Sequence, residues 1–245
     1  MKLILPSYIH LIFETAAFLV GFRYYIFLRK KSGDSIPEIN RIWIIVGATA
    51  GALLGSRILG ALENPLLLDF HSFKSIFIAL QNKTIVGGFF GGILGVELIK
   101  KILKEKQRSG DLFVFPILLA MIIGRIGCFL TALNDHTAGG ATTMPWGIDY
   151  GDGVFRHPLP LYEIIFLALT FFVLWKIKNK NNLASGSLFK ICMVFYFSYR
   201  LINESFKSDY IYPWHLSAIQ TVCIIALLYY SNVFFRPNHL LKANA

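Results

Sequence analysis

Arg57, Arg125 and Arg200 each fall deep inside a long apolar run. A charge at mid-bilayer costs about 2.5–3.5 kcal/mol on insertion scales, so such groups face a polar cavity or a partner. Guanidinium groups bind phosphate in a two-pronged fashion, and the three together describe a pocket for an anionic phospholipid headgroup. His10 and Glu14 stand four residues apart in the first apolar run, on one face of a helix. A carboxylate there orients an imidazole and raises its basicity, which is a base-plus-orienter arrangement. Arg200 and Glu204 have the same spacing and also fit an internal ion pair. Gly87 and Gly88 open the third run, where the lack of side chains lets a headgroup approach backbone amides or lets another helix pack closely.

The elements that must carry these groups follow from composition. Of 245 residues, 55% are hydrophobic and 16% charged, against about 25% charged in an ordinary soluble domain. Disorder, a coiled coil and a disulfide-stapled secreted module are excluded. The expected fold is all-α and membrane-integral, a single polytopic domain over residues 1–245. Seven spans are expected at Tyr8–Leu28, Ile42–Leu62, Ile85–Ile102, Leu112–Leu133, Leu159–Trp175, Ser187–Glu204 and Trp214–Phe235. His71–Leu80 reads as an interfacial or re-entrant helix. Gly47, Gly51 and Gly55 make a small-residue ladder suited to close helix packing.

The net charge of +10 lies in clusters between the spans, which argues against nucleic acid and for topology. Arg29, Lys30, Lys31, Arg41, Lys100, Lys101, Lys104, Lys106, Arg108, Lys176, Lys178, Lys180, Arg236 and Lys242 fall on one side. Lys2, Lys74, Lys83, Arg156 and Lys207 fall on the other. The positive-inside rule then puts the N-terminus outside and the C-terminus in the cytoplasm. The longest outer segment, 134–158, is rich in Gly, Thr and Asp and is expected to be a structured loop at a substrate entrance. Cys128, Cys192 and Cys223 all sit in apolar segments, and no pairing among them is readable.

Four stretches add a further reading: Gly124-Arg125-Ile126-Gly127-Cys128-Phe129, Pro145-Trp146-Gly147, Arg156-His157-Pro158-Leu159-Pro160-Leu161-Tyr162-Glu163, and Tyr199-Arg200-Leu201-Ile202-Asn203-Glu204. In this order the chain resembles the bacterial prolipoprotein diacylglyceryl transferases, from about Leu19 to Gln220. The resemblance implies a transferase of the bacterial inner membrane. It would move diacylglyceryl from phosphatidylglycerol to the lipobox cysteine thiol of a prolipoprotein, releasing glycerol phosphate, with no metal or soluble cofactor. Its partners are those two substrates and membrane lipids. The resemblance makes Arg125 the lipid-contacting signature arginine and Arg200 the late essential one. Arg57, Gly87, Gly88, Cys128, Arg156 and Tyr162 are also expected in the lipid-contacting set.

The chain departs from the family pattern in several places. Val86 replaces a histidine, Cys128 an asparagine, Leu133 a glutamate, and His10 an aromatic residue. A base for the acceptor thiol must therefore come from elsewhere. His10 oriented by Glu14 and His136 beside Asp135 are the two candidates, and arginines that alone depress the thiol's pKa are a third arrangement. A related enzyme acting on phosphatidylglycerol or a similar lipid with another acceptor, and a non-catalytic lipid carrier, are the alternative readings.

Overall fold

The computed structural model describes residues 8–34, 36–67, 69, 71–108, 110–133, 137–207 and 210–241. The long helices are α1 (Tyr8–Ser32), α2 (Glu38–Leu62), α4 (Ile85–Ile102), α5 (Asp111–Leu130), α6 (Leu159–Lys180), α7 (Ser187–Asn203) and α8 (Ala218–Tyr229). Two short helices, α3 (Phe73–Ala79) and α9 (Asn232–Phe235), join them, with a small hairpin of β1 (Ile148–Asp149) and β2 (Phe155–Arg156). Each expected span corresponds to one long helix, with shifted ends.

Local chemistry explains the shifts. α1 continues past Leu28 until Gly33 enters the left-handed region at φ 71°, a usual helix stop. α8 begins at Ala218, not Trp214. His215 sits at φ +62°, and a reciprocal capping box between Ser217 and Gln220 sets the first turn. Trp214 instead stacks on Tyr212 and donates to Thr221.

Four helices, α1, α2, α5 and α6, are long and apolar enough to cross a membrane. α4 ends in Glu97, Lys100 and Lys101, α7 has 17 residues and α8 only 12. At 1.5 Å per residue α8 spans about 18 Å. The chain is thus a helical membrane protein.

The helices associate in antiparallel pairs, and glycine sets both closest approaches. α2 lies along α4 with three facing glycine pairs, Gly47 with Gly95, Gly51 with Gly91, and Gly55 with Gly87. A Cβ on any of the six would stand 2.1–3.0 Å from the partner's backbone oxygen. α1 lies along α5 in the same way, where a Cβ on Gly127 would meet Phe13 at 2.7 Å and one on Gly21 would meet Ala120 at 2.9 Å. Without a hydrophobic drive between helices in lipid, this backbone proximity is what holds such pairs.

Gly91 and its neighbour Gly92 therefore differ sharply. A Cβ on Gly91 would stand 2.2 Å from the Gly51 carbonyl oxygen, whereas one on Gly92 finds only ordinary contacts at 3.5 and 3.6 Å. Gly91→Ala is expected to destabilise by about 1–3 kcal/mol through overpacking. Gly92→Ala is expected to be neutral or stabilising, because alanine is the better helix former by about 1 kcal/mol. Thermal unfolding in detergent checks the pair; equal melting temperatures would show that the α2–α4 seam is not the tight contact.

Between the two pairs runs a groove of about 1790 Å³, walled by α1 and α5 on one side and α2 and α4 on the other. At its other flank α5 packs on α6, and α7 packs on α8. The core there is built from Leu118, Leu167, Leu174, Leu188, Phe197 and Ile219. In the connection from α1 to α2, Arg41 is fully buried and forms an ion pair with Asp34, which Arg29 also reaches at 3.2 Å. These two cations therefore clasp the connection from α1 to α2.

Candidate active site

All the deep arginines lie at one end of the bundle, the end shared by the start of α1, the ends of α2, α5 and α7, and the starts of α4 and α6. Arg125, on the last turns of α5, places Nη2 2.8 Å from Oε2 of Glu163 on α6. Arg200, near the end of α7, reaches the same oxygen at 3.4 Å through Nη1 and Glu204 at 2.7 Å through Nη2. The Tyr196 hydroxyl donates to the other Glu163 oxygen at 3.2 Å. Lys207 then extends the network, 3.9 Å from Glu204 and 3.1 Å from Glu63.

Among the described residues this network joins three cations to three carboxylates. The expected cationic pocket is corrected on this point, because Arg125 and Arg200 are compensated by carboxylates. Among the described residues, Nε of Arg125 and Nε of Arg200 are buried without a hydrogen-bond acceptor. A buried donor left unmade costs about 1–3 kcal/mol, more for charged groups.

Glu163 is the residue that the reading of the sequence left out of the site. It is 1% exposed and shared by both arginines. Glu163→Gln keeps the shape but leaves two buried guanidinium groups facing each other. Breaking a buried pair in this way costs about 3–5 kcal/mol. Purified variant protein is expected to unfold at a clearly lower temperature than the parent; an unchanged melting point would mean the network carries no stability.

His10 lies in the first turn of α1. Its Nε2 stands 3.7 Å from Sγ of Cys128, and Nη1 of Arg125 is 3.7 Å from the same sulfur. Thiol, imidazole and guanidinium therefore meet at the α1–α5 crossing, where Gly127 lets the helices touch.

The remaining expected residues fall elsewhere. The structure gives the Glu14 carboxylate to Lys83 at 3.2 Å, on an exposed face, so its pairing with His10 is corrected; the cation at the start of α4 is the stronger partner. Arg57 donates to the carbonyls of Leu80 and Gln81 at 3.0 and 2.7 Å. It ties the α3 segment to α2 and stands apart from the other two arginines. Gly87 is packed against Gly55 and Leu59, which corrects its reading as a lipid contact, whereas Gly88 lines the groove. His136 and Asp135 lie outside the described residues.

The segment from 137 to 158 folds over this end. Gly139, Gly140 and Thr142 exchange backbone hydrogen bonds with Phe155, His157 and Phe206. Asp149 caps the hairpin turn by accepting from Gly151 and Gly153, both at positive φ. Arg156 pairs with Asp152 at 2.6 Å and holds that carboxyl below the usual carboxylate range. Burial pushes the Tyr150 hydroxyl up to about 12. The Tyr162 hydroxyl accepts from the Trp146 indole at 2.8 Å and lies 3.1 Å from Nδ1 of His157. Tyr162 therefore braces the loop against the start of α6, while Arg156 ties the hairpin turn to its own strand.

The groove and the network are separate spaces. None of Arg125, Glu163 or Arg200 lines the groove. Phe89 stands between them, lining the groove and packing edge-on against Tyr196 at 5.0 Å.

Helices suited to a bilayer, closed at one end around a buried arginine–carboxylate network under a folded loop, define a helical membrane protein. The chain belongs to the prolipoprotein diacylglyceryl transferase family, whose model matches residues 5–236. Among its relatives, a phosphatidylglycerol–prolipoprotein diacylglyceryl transferase of Campylobacter lari is 29% identical over 175 residues, which is 68% of this chain and 62% of that protein. One of Campylobacter jejuni is 31% identical over the same shares. One of a Wolbachia from Brugia malayi is 30% identical over 196 residues, 74% of this chain and 68% of the relative. The match thus spans less than two thirds of the length of the Campylobacter proteins.

Proposed function

We propose that this chain transfers diacylglyceryl from phosphatidylglycerol to the thiol of a lipobox cysteine on a prolipoprotein, at the outer face of the bacterial cytoplasmic membrane. The observation that carries the reading is the convergence of Arg125 and Arg200 on one buried carboxylate, each with an unused Nε donor. In the reaction a C–S bond forms as the C–O bond to phosphate breaks, glycerol phosphate leaves, and the thiol proton passes to a base. Preorganised charge–dipole donors aimed at the leaving phosphate are the largest single aid such a step can have. Arg125 and Arg200 take that role, with Glu163 and Glu204 holding them apart and in place. His10 takes the proton; its Nε2 and the Arg125 Nη1 meet at the Cys128 sulfur, each 3.7 Å from it.

Membership of the family and the names of the relatives support the substrates. Complementation of a strain depleted of its own transferase, followed by transfer to a lipobox peptide from purified phosphatidylglycerol, tests the reading. Consumption of the lipid with no transfer to a cysteine peptide would favour a related enzyme with another acceptor. Lipid binding with no turnover would favour a carrier.

The proposed topology has seven spans, α1, α2 and α4 to α8, with the N-terminus outside and the C-terminus in the cytoplasm. The distribution of basic residues supports it, as does the gathering of Arg125, Arg200 and His10 at one end. A cysteine placed at Gln107, which is exposed, is expected to label only from the cytoplasm; labelling from outside would invert the topology.

A further inference from the structure

The groove between the two helix pairs has unlike mouths. At the end near the arginine network its charges are spent, with Lys83 on Glu14 and Arg57 on backbone carbonyls. At the opposite end it is lined by Lys100, Lys101, Lys104, Lys106, Arg108 and Lys190. Among the described residues none of these six has a carboxylate within 4.0 Å. Glu97 and Glu105 also line this mouth, but Glu105 accepts from the Asn40 amide and the Gln107 backbone.

The backbone that carries part of this cluster is fixed by a helix stop. α4 closes with Lys104 at φ +54°, its N–H on the Lys101 carbonyl and that of Glu105 on the Lys100 carbonyl. This is the left-handed helix stop that glycine usually occupies, and here a lysine occupies it. Between the mouths, Gly88, Gly92, Val96 and Lys100 form one i, i+4 row down the groove. The row runs from bare backbone to apolar side chain to cation, the polarity sequence of a lipid lying tails-inward. At about 1790 Å³ the space exceeds the roughly 300–1,000 Å³ of an ordinary small-molecule site.

We infer that this mouth holds a second anionic phospholipid, drawn from the leaflet opposite the arginine network, with its phosphate among Lys100, Lys104, Lys106 and Arg108 and its acyl chains along Val96 and Gly92. Basic pockets between membrane helices on the cytoplasmic side recognise anionic headgroups by this combination of charge and apolar depth. A soluble phosphate would use only the charge. The inference rests on the membrane-spanning reading above but not on the transfer reaction.

Native mass spectrometry of the delipidated protein, titrated with dioleoyl phosphatidylserine, tests it, because that lipid is not the proposed donor. One lipid is expected to bind with at least about tenfold preference over dioleoyl phosphatidylethanolamine. Millimolar inorganic phosphate should not displace it. Replacing Lys100, Lys104, Lys106 and Arg108 together by glutamine should remove the preference. Val96→Trp, which keeps every cation but fills the groove, should remove the binding; Gly92→Val serves the same purpose if the tryptophan variant does not fold. Arg125→Ala should retain the lipid, so that loss of transfer and loss of this site are read separately. Phosphatidylserine binding that survives both groove-filling variants, or that phosphate displaces, would reduce the site to surface charge and overturn the inference, as would loss of the lipid in Arg125→Ala.

Discussion

Arg125→Ala is expected to lower transfer from phosphatidylglycerol by at least about 10²–10³-fold, the loss seen when one preorganised donor to a developing oxyanion is removed. The loss should fall on the chemical step more than on protein stability, because Glu163 keeps Arg200 and the Tyr196 hydroxyl as partners. Arg125→Lys should not restore activity. A lysine ammonium is a point charge and cannot hold Glu163 through one nitrogen while presenting others to a phosphate and to Cys128. Single-turnover transfer to a lipobox peptide, with thermal unfolding as a fold control, separates the two effects. Full activity in Arg125→Ala would remove this residue from the site.

His10→Ala carries the second large expectation, a fall in turnover of about 10²–10⁴-fold with lipid affinity nearly unchanged, the range for a lost general base. Glu14→Gln should do much less, since its carboxylate is engaged with Lys83 on an exposed face. A silent His10→Ala combined with an inactive His136→Ala would put the base in the outer loop. If neither histidine mattered, proton removal would rest on the arginines alone.

Helix positions and the arginine-bearing end were legible because hydropathy and charge act over tens of residues. The pairing of side chains was not, because it depends on which helix lies opposite. Gly87 and Gly88 read alike in the chain, yet they are turned about 100° apart on α4, so one meets Gly55 and the other faces the groove. The signal for the difference was Gly95, which completes an i, i+4 row with Gly87 and Gly91 to match Gly47, Gly51 and Gly55. Glu163 was visible as the last residue of a motif. Its weight comes from Arg125 and Arg200, each more than thirty residues away. A carboxylate one turn inside an apolar run, in a chain with three unexplained arginines, was the available clue. Arg57 misled because burial in a run does not say whether a cation meets an anion or a pair of carbonyls.

The pairing of α1 with α5 also bears on the order of assembly. α2 and α4 are near neighbours in the chain and can zip together as soon as both are inserted. The partner surface of α1 is complete only when Leu130 has been made, about a hundred residues after Ser32. At roughly 5–20 residues per second the first helix waits on the order of 5–20 s beside the translocation channel before its groove-fitting face, with Gly21 and Phe13, is covered. A bulky replacement at Gly127 would therefore act on maturation, prolonging that wait and exposing α1 to membrane quality control, before any effect on the finished enzyme could be seen.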